Sequence, residues 1–164
     1  MAADVTYSPK IYKRDGGNTQ VFASGAIQAV DQAGIGGPCN QVRIRTTTAN
    51  VNAGATLLPA LPGYKYRIHD IAMIAIGGAA TAATTVDVLG TQSSSSVKLL
   101  AGAVANLTQS AVLRAGATGG AVLADGASFV ACDANTAITI GKTGSSLATA
   151  TNIDVLLTYS IEAA

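Results

Sequence analysis

The stretch Tyr64-Lys65-Tyr66-Arg67-Ile68-His69-Asp70-Ile71-Ala72-Met73-Ile74-Ala75-Ile76 decides the fold class of this chain. Aromatic and β-branched residues recur in it at a spacing of two, which suits a pleated strand with one buried face. Strict alternation directs Tyr66, Ile68, Ala72, Ile74 and Ile76 toward the core. No i, i+3, i+4, i+7 apolar spacing supports a helix here or elsewhere in the chain, and the Ala-rich stretches are broken by Gly and Thr.

Working outward, the same signature repeats in shorter pieces. Upstream, Val42, Ile44 and Thr46 alternate with Arg43, Arg45 and Thr47, and Pro59 and Pro62 mark a loop. Downstream lie Thr84 to Leu89, Val97 to Leu100, Val104 to Leu107, and the pair Ala111 to Leu113 and Ala121 to Leu123 around Gly116 to Gly120. Ala127 to Ala131 follows the turn Asp125-Gly126, and Ala137 to Ile140 precedes another glycine turn. Asn152 to Ile161 closes the pattern, with Ile153, Val155, Leu157, Tyr159 and Ile161 on one face. About eight short strands at this spacing predict a sandwich or barrel. Long Ala/Thr/Ser/Gly connections such as Gly77 to Thr85 favour a jelly roll over a meander of tight hairpins. A parallel β-helix requires a fixed short repeat, and none is found. The predicted fold class is all-β: a jelly-roll-like β-sandwich over residues 39–164, preceded by an extended N-terminal arm over 1–38.

The arm reads differently from the body. Pro9 forbids a helix through Asp4 to Lys13, and Asp15-Gly16-Gly17-Asn18 is a turn cluster. Gln20 to Ala23 and Ala26 to Val30 are short strand patterns, and Gly34 to Pro38 is a flexible break. The arm holds too few large apolar residues for a core of its own. Tyr7, Lys10, Tyr12, Lys13 and Arg14 form a basic-aromatic cluster in it, and Tyr and Arg are favoured interface anchors. These five are the candidate partner-contact residues.

Composition points to assembly. Of 164 residues, 49% are hydrophobic but only 12% charged, against about 25% charge in ordinary soluble domains. So little charge leaves weakly polar Ala, Ser, Thr and Gly to cover the surface, which suits burial against other protein. Net charge is +1, with basic residues concentrated before Arg67 and acidic ones after it. That balance, with no aromatic platform among the basic residues of the body, argues against nucleic acid. No signal peptide and no membrane-spanning apolar run is visible, so synthesis in a cytosol and no membrane association are expected. Cys39 and Cys132 make no disulfide framework and read as buried free thiols.

Chemistry is hard to find. His69 is the only histidine, and as a strand neighbour of Asp70 it should point to the opposite face, which spoils a His–Asp relay. There is no Gly-x-Ser-x-Gly elbow, no Walker A loop and no dinucleotide glycine pattern. One His and two distant Cys cannot hold a zinc ion, and no paired carboxylates suit a glycosidase. No cofactor, no metal and no enzymatic activity are expected.

The chain resembles the decoration (cement) proteins of tailed-bacteriophage heads. The resemblance is carried by Asp4 to Arg14, Gln20-Val21-Phe22-Ala23-Ser24-Gly25-Ala26-Ile27, Tyr66 to Gly78, Asn106 to Gly116, and Asn152-Ile153-Asp154-Val155-Leu156-Leu157-Thr158-Tyr159-Ser160-Ile161. It implies a jelly roll or related sandwich, a homotrimer, and attachment to the major capsid protein of an expanded head, with the arm reaching onto neighbouring shell subunits. The implied location is the capsid surface of the virion. The competing expectation is a receptor- or glycan-binding head domain of a virion fibre.

Overall fold

The computed structural model describes residues 39–122 and 127–164, together with the backbone of 11–14 and 19–22. In the N-terminal region, β1 (Ile11–Arg14) pairs antiparallel with β2 (Thr19–Phe22), Ile11 opposite Phe22 and Arg14 opposite Thr19. The body contains β3 (Asn40–Thr47), α1 (Thr48–Ala53), β4 (Ala55–Leu58), β5 (Tyr64–Ile76), β6 (Thr81–Gln92) and β7 (Ser95–Ala103). It continues with β8 (Leu113–Arg114), β9 (Gly120–Ala121), β10 (Ile138–Ala148) and β11 (Asn152–Ala163).

Two antiparallel sheets form the body, one ordered β3-β11-β5-β8 and the other β4-β10-β6-β7-β9. The first and last strands of the body thus lie side by side. With β9 set aside as a short addition, this is jelly-roll order, as the sequence predicts. Inward-facing side chains of both sheets meet in one core, in which Met73, Leu99, Leu100, Leu107, Ile138, Ile140, Ile153 and Leu157 are fully buried.

One prediction fails for an instructive reason. In β5, Tyr66 and Ile68 do face the core, but so do Ile71, Met73 and Ala75, while Ile74 and Ile76 lie on the outer side, half-buried. Thr158 pairs with Asp70 and Tyr159 with Ile68, so His69 is an extra residue, a β-bulge that shifts the alternation by one. Strict alternation therefore assigns Ala72, Ile74 and Ile76 the wrong face. In β11 no such residue intervenes on the core side, and Ile153, Val155, Leu157 and Ile161 are buried as predicted.

Other boundaries move too. The segment from Gly77 is only a four-residue connection, because β6 begins at Thr81. Val104–Asn106 and Ala127–Phe129 are 3₁₀ turns where strand was predicted, and β10 runs on through Gly141 and Gly144 instead of turning. The Ser93-Ser94 pair makes the tight β6–β7 turn with φ of 50° and 62°, the left-handed pair that a two-residue hairpin requires. Neither residue is a glycine, and the Asp133 carboxylate holds the turn by accepting both backbone N–H groups, at 3.0 and 2.7 Å.

α1 was not foreseen. Thr47 caps it by accepting from the Asn50 N–H, Gly54 closes it at φ 82°, and Val51 is fully buried. Asn52 fixes it to β10, donating to the Leu147 carbonyl at 3.1 Å and accepting from the Leu147 N–H at 2.7 Å. On the opposite edge the turn from Arg114 to Gly120 ties the two sheets, and a Cβ on Gly120 would stand 2.0 Å from the Arg114 carbonyl oxygen.

Candidate functional site

Each sheet turns one face to the core and one outward, and the two outer faces are chemically unlike. On the four-stranded sheet the rows across the strands place Arg45 beside Asp154 and Ile74, then Arg43 beside Leu156, Ala72 and Arg114. Further rows bring Gln41, Thr158 and Asp70 together, then Ser160 with Arg67, and Glu162 with Lys65. Five basic side chains (Arg43, Arg45, Lys65, Arg67, Arg114) thus share one face with three acidic ones (Asp70, Asp154, Glu162). On the five-stranded sheet the outer rows read Thr139, Leu89, Lys98; Gly141, Asp87, Ala101, Ala121; and Thr143, Thr85, Ala103. Lys98 and Asp87 are the charged groups in these rows.

Both faces contain one aspartate that points outward yet is buried. Asp154 lies under two guanidinium groups. Arg45 donates from Nε to Oδ1 at 2.7 Å and from Nη2 to Oδ2 at 3.0 Å, and Arg43 donates from Nε and Nη2 to Oδ2. The carboxylate is 4% exposed, while Arg43 and Arg45 remain 64% and 54% exposed. The hydrogen bonds from Arg45, joined by those from Arg43 and their charges, hold the Asp154 carboxyl down at about 2 against the desolvation that opposes them. The same contact raises the Arg45 pKa.

Asp87 is covered more sparingly. Lys98 Nζ lies 3.0 Å from Oδ2 and donates to Thr143 Oγ1 at 2.6 Å, and that hydroxyl in turn donates to Oδ2 at 2.6 Å. Its Oδ1, and Thr85 Oγ1 on the same strand, are buried with no hydrogen-bond partner among the described residues.

At the bulge both His69 and Asp70 reach the outer face, contrary to the expectation from simple alternation, because a bulge lets consecutive side chains point the same way. They still serve different partners. His69 Nε2 contacts Ser160 Oγ at 3.1 Å, whereas Asp70 accepts from the Ile71 N–H and from Arg114 Nη1. Ser160 is itself buried. Arg67 makes a two-pronged pair with Glu162 and donates to the Phe129 carbonyl at 2.9 Å. Glu162 is held below the usual carboxylate range, chiefly by the hydrogen bond from Arg67.

The predicted contact cluster is placed only in part. Tyr7 and Lys10 lie outside the described residues, and Tyr12, Lys13 and Arg14 are described only as backbone of β1. The arginines of β3 were legible only as the polar side of a strand; that they converge on Asp154 follows from the β3–β11 pairing. Cys132 is buried, which raises its thiol pKa, but Cys39 is exposed, against the expectation of two buried thiols. Among the described residues no group of three or more His, Cys, Asp and Glu could hold a metal ion, and no helix is long and apolar enough to cross a membrane. Among the described residues, Val112, Phe129 and Val130 are the exposed large hydrophobics. No protein-family model, curated protein or solved structure matches this chain.

Proposed function

We propose that this chain is a structural virion protein that decorates and stabilises a bacteriophage head by bridging major capsid protein subunits. The observation that carries the reading is the contrast between the two outer faces of one sandwich. A face of Thr, Ala, Gly and Leu89, whose outer rows hold the one ion pair Lys98–Asp87, presents little charge to be desolvated on close protein contact. A face with excess guanidinium directs and registers a partner. A charge-poor chain with two such faces fits a shell component better than a freely solvated monomer. As a homotrimer it would attach at several points at once, so modest single contacts sum to a durable one. Binding only the assembled shell would stabilise that shell by mass action.

The test is to mix purified protein with undecorated expanded heads and with unexpanded precursors, and to measure bound protein by sedimentation. Saturable binding to expanded heads supports the proposal. Absence of saturable binding overturns it, and binding to a glycan array instead would favour a fibre head domain. Light scattering gives the oligomeric state in the same preparation.

A further inference from the structure

The charged face holds more than ion pairs. One of its rows runs Arg43, Leu156, Ala72, Arg114 across all four strands. Neighbouring strands lie about 4.8 Å apart, so the two arginines stand on the order of 14 Å apart with apolar side chains between them. Ile74 adjoins this centre from the next row, and it and Leu156 are half-buried. An apolar centre framed by arginines is the make-up of a protein contact patch, not of an ordinary solvated sheet face.

The arginines also have binding capacity left over. Asp154 engages Nε and Nη2 of both Arg43 and Arg45, and among the described residues neither Nη1 has a partner. Two cations sharing one anion leave this edge positive. On the far side Arg114 meets Asp70 through Nη1 alone.

We propose that this row is a docking site for an acidic, partly apolar protein segment. Such a segment would lay an aliphatic side chain over Leu156 and Ile74. It would set carboxylates on the Arg43–Arg45 pair and on Arg114, where planar guanidinium and carboxylate groups match. A second copy of the same face is a poor occupant, because its positive excess repels itself. Nucleic acid is also disfavoured. Asp70 and Glu162 interrupt the basic field that a phosphate backbone needs, and Tyr64, Tyr66 and Tyr159 pack toward the core instead of offering a stacking surface. The site stands on the charge pattern of this sheet and does not depend on the capsid reading.

The experiment titrates the purified protein, followed by backbone amide NMR, with three probes: a synthetic peptide alternating Glu and Leu, its Gln-for-Glu twin, and a single-stranded oligonucleotide of equal charge. The Glu peptide should shift the amides of Arg43, Leu156, Ala72 and Arg114, and should bind about tenfold more tightly than its twin at low salt. Arg43→Gln and Arg114→Gln should each weaken it severalfold. Arg114→Gln leaves the Asp154 cluster intact, so a loss of binding there reports docking and not unfolding, and unchanged thermal melting of that variant checks this. Equal binding of the Gln twin, shifts confined to other strands, or equally tight binding of the oligonucleotide would each overturn the proposal.

Discussion

Two outward-facing aspartates, one on each sheet, show how the same residue serves opposite ends. Asp154 sits under two arginines with both oxygens used, and its carboxyl is held at about 2. Asp87 sits under Lys98 and Thr143 with only Oδ2 used. Burying a charge is costly unless its hydrogen bonds are complete, so the first arrangement ties three strand positions together and the second leaves a residual strain. The difference teaches that the charged face is organised around its carboxylate, whereas the neutral face merely tolerates one.

The sharpest way to break this comparison is to remove each carboxylate in turn. Asp154→Ala removes the shared acceptor of two guanidinium groups that stay more than half exposed, and should cost about 2 kcal/mol of unfolding free energy in urea titration. Asp87→Val removes an unsatisfied oxygen together with one ion pair, and should cost about 1 kcal/mol or less. Equal costs would end the contrast.

Acid provides the next test. The Asp154 pKa lies below its unfolded value, so its contribution is complete above about pH 4 and is lost as pH falls toward about 2. Wild-type stability should therefore fall across that window, and Asp154→Asn should flatten the fall. Urea midpoints taken at several acidic pH values measure this.

A control away from both faces comes from the core. Tyr66 Oη donates to the Pro59 carbonyl at 2.7 Å, and its ring meets Tyr159 edge-on at 5.7 Å. Tyr66→Phe should cost about 1 kcal/mol. Burial pushes the Tyr66 hydroxyl up to about 12, so stability it confers is intact below about pH 10 and is lost as pH rises through about 12. Absorbance at the tyrosinate band tracks this directly.

The smallest effect is expected at Arg114 and Asp70, whose side chains are both well exposed. Arg114→Ala should change stability by only about 0.5 kcal/mol, and salt should erase the difference. A larger loss would mean that this rim of the charged face is structural and would weaken its case as a contact.

Much of the sandwich was legible because alternation is a local property. β3, β5 and β11 read at or near their observed limits, and the burial of Val155 and Leu157 followed from spacing alone. The bulge at His69 was not legible, since one extra residue is defined only against Thr158 and Tyr159 on a strand nearly ninety positions away. α1 escaped because six residues are too few to reveal a helical period, and its hold on β10 comes from one asparagine side chain. The carboxylate cluster escaped for the same reason as the bulge. Arg43, Arg45 and Asp154 look like ordinary exposed strand positions until the first and last strands of the body are laid together.

That last pairing has a consequence for how the chain is made. β11 is the middle strand joining β3 to β5, and among the described residues, residues 40–47 find their strand partners in residues 152–159. During synthesis β3 must wait for nearly the whole body to emerge, and closing so long a loop makes such topologies slow to fold. The arginine-rich face is therefore a late product: a chain that has not yet reached residues 152–159 cannot assemble it.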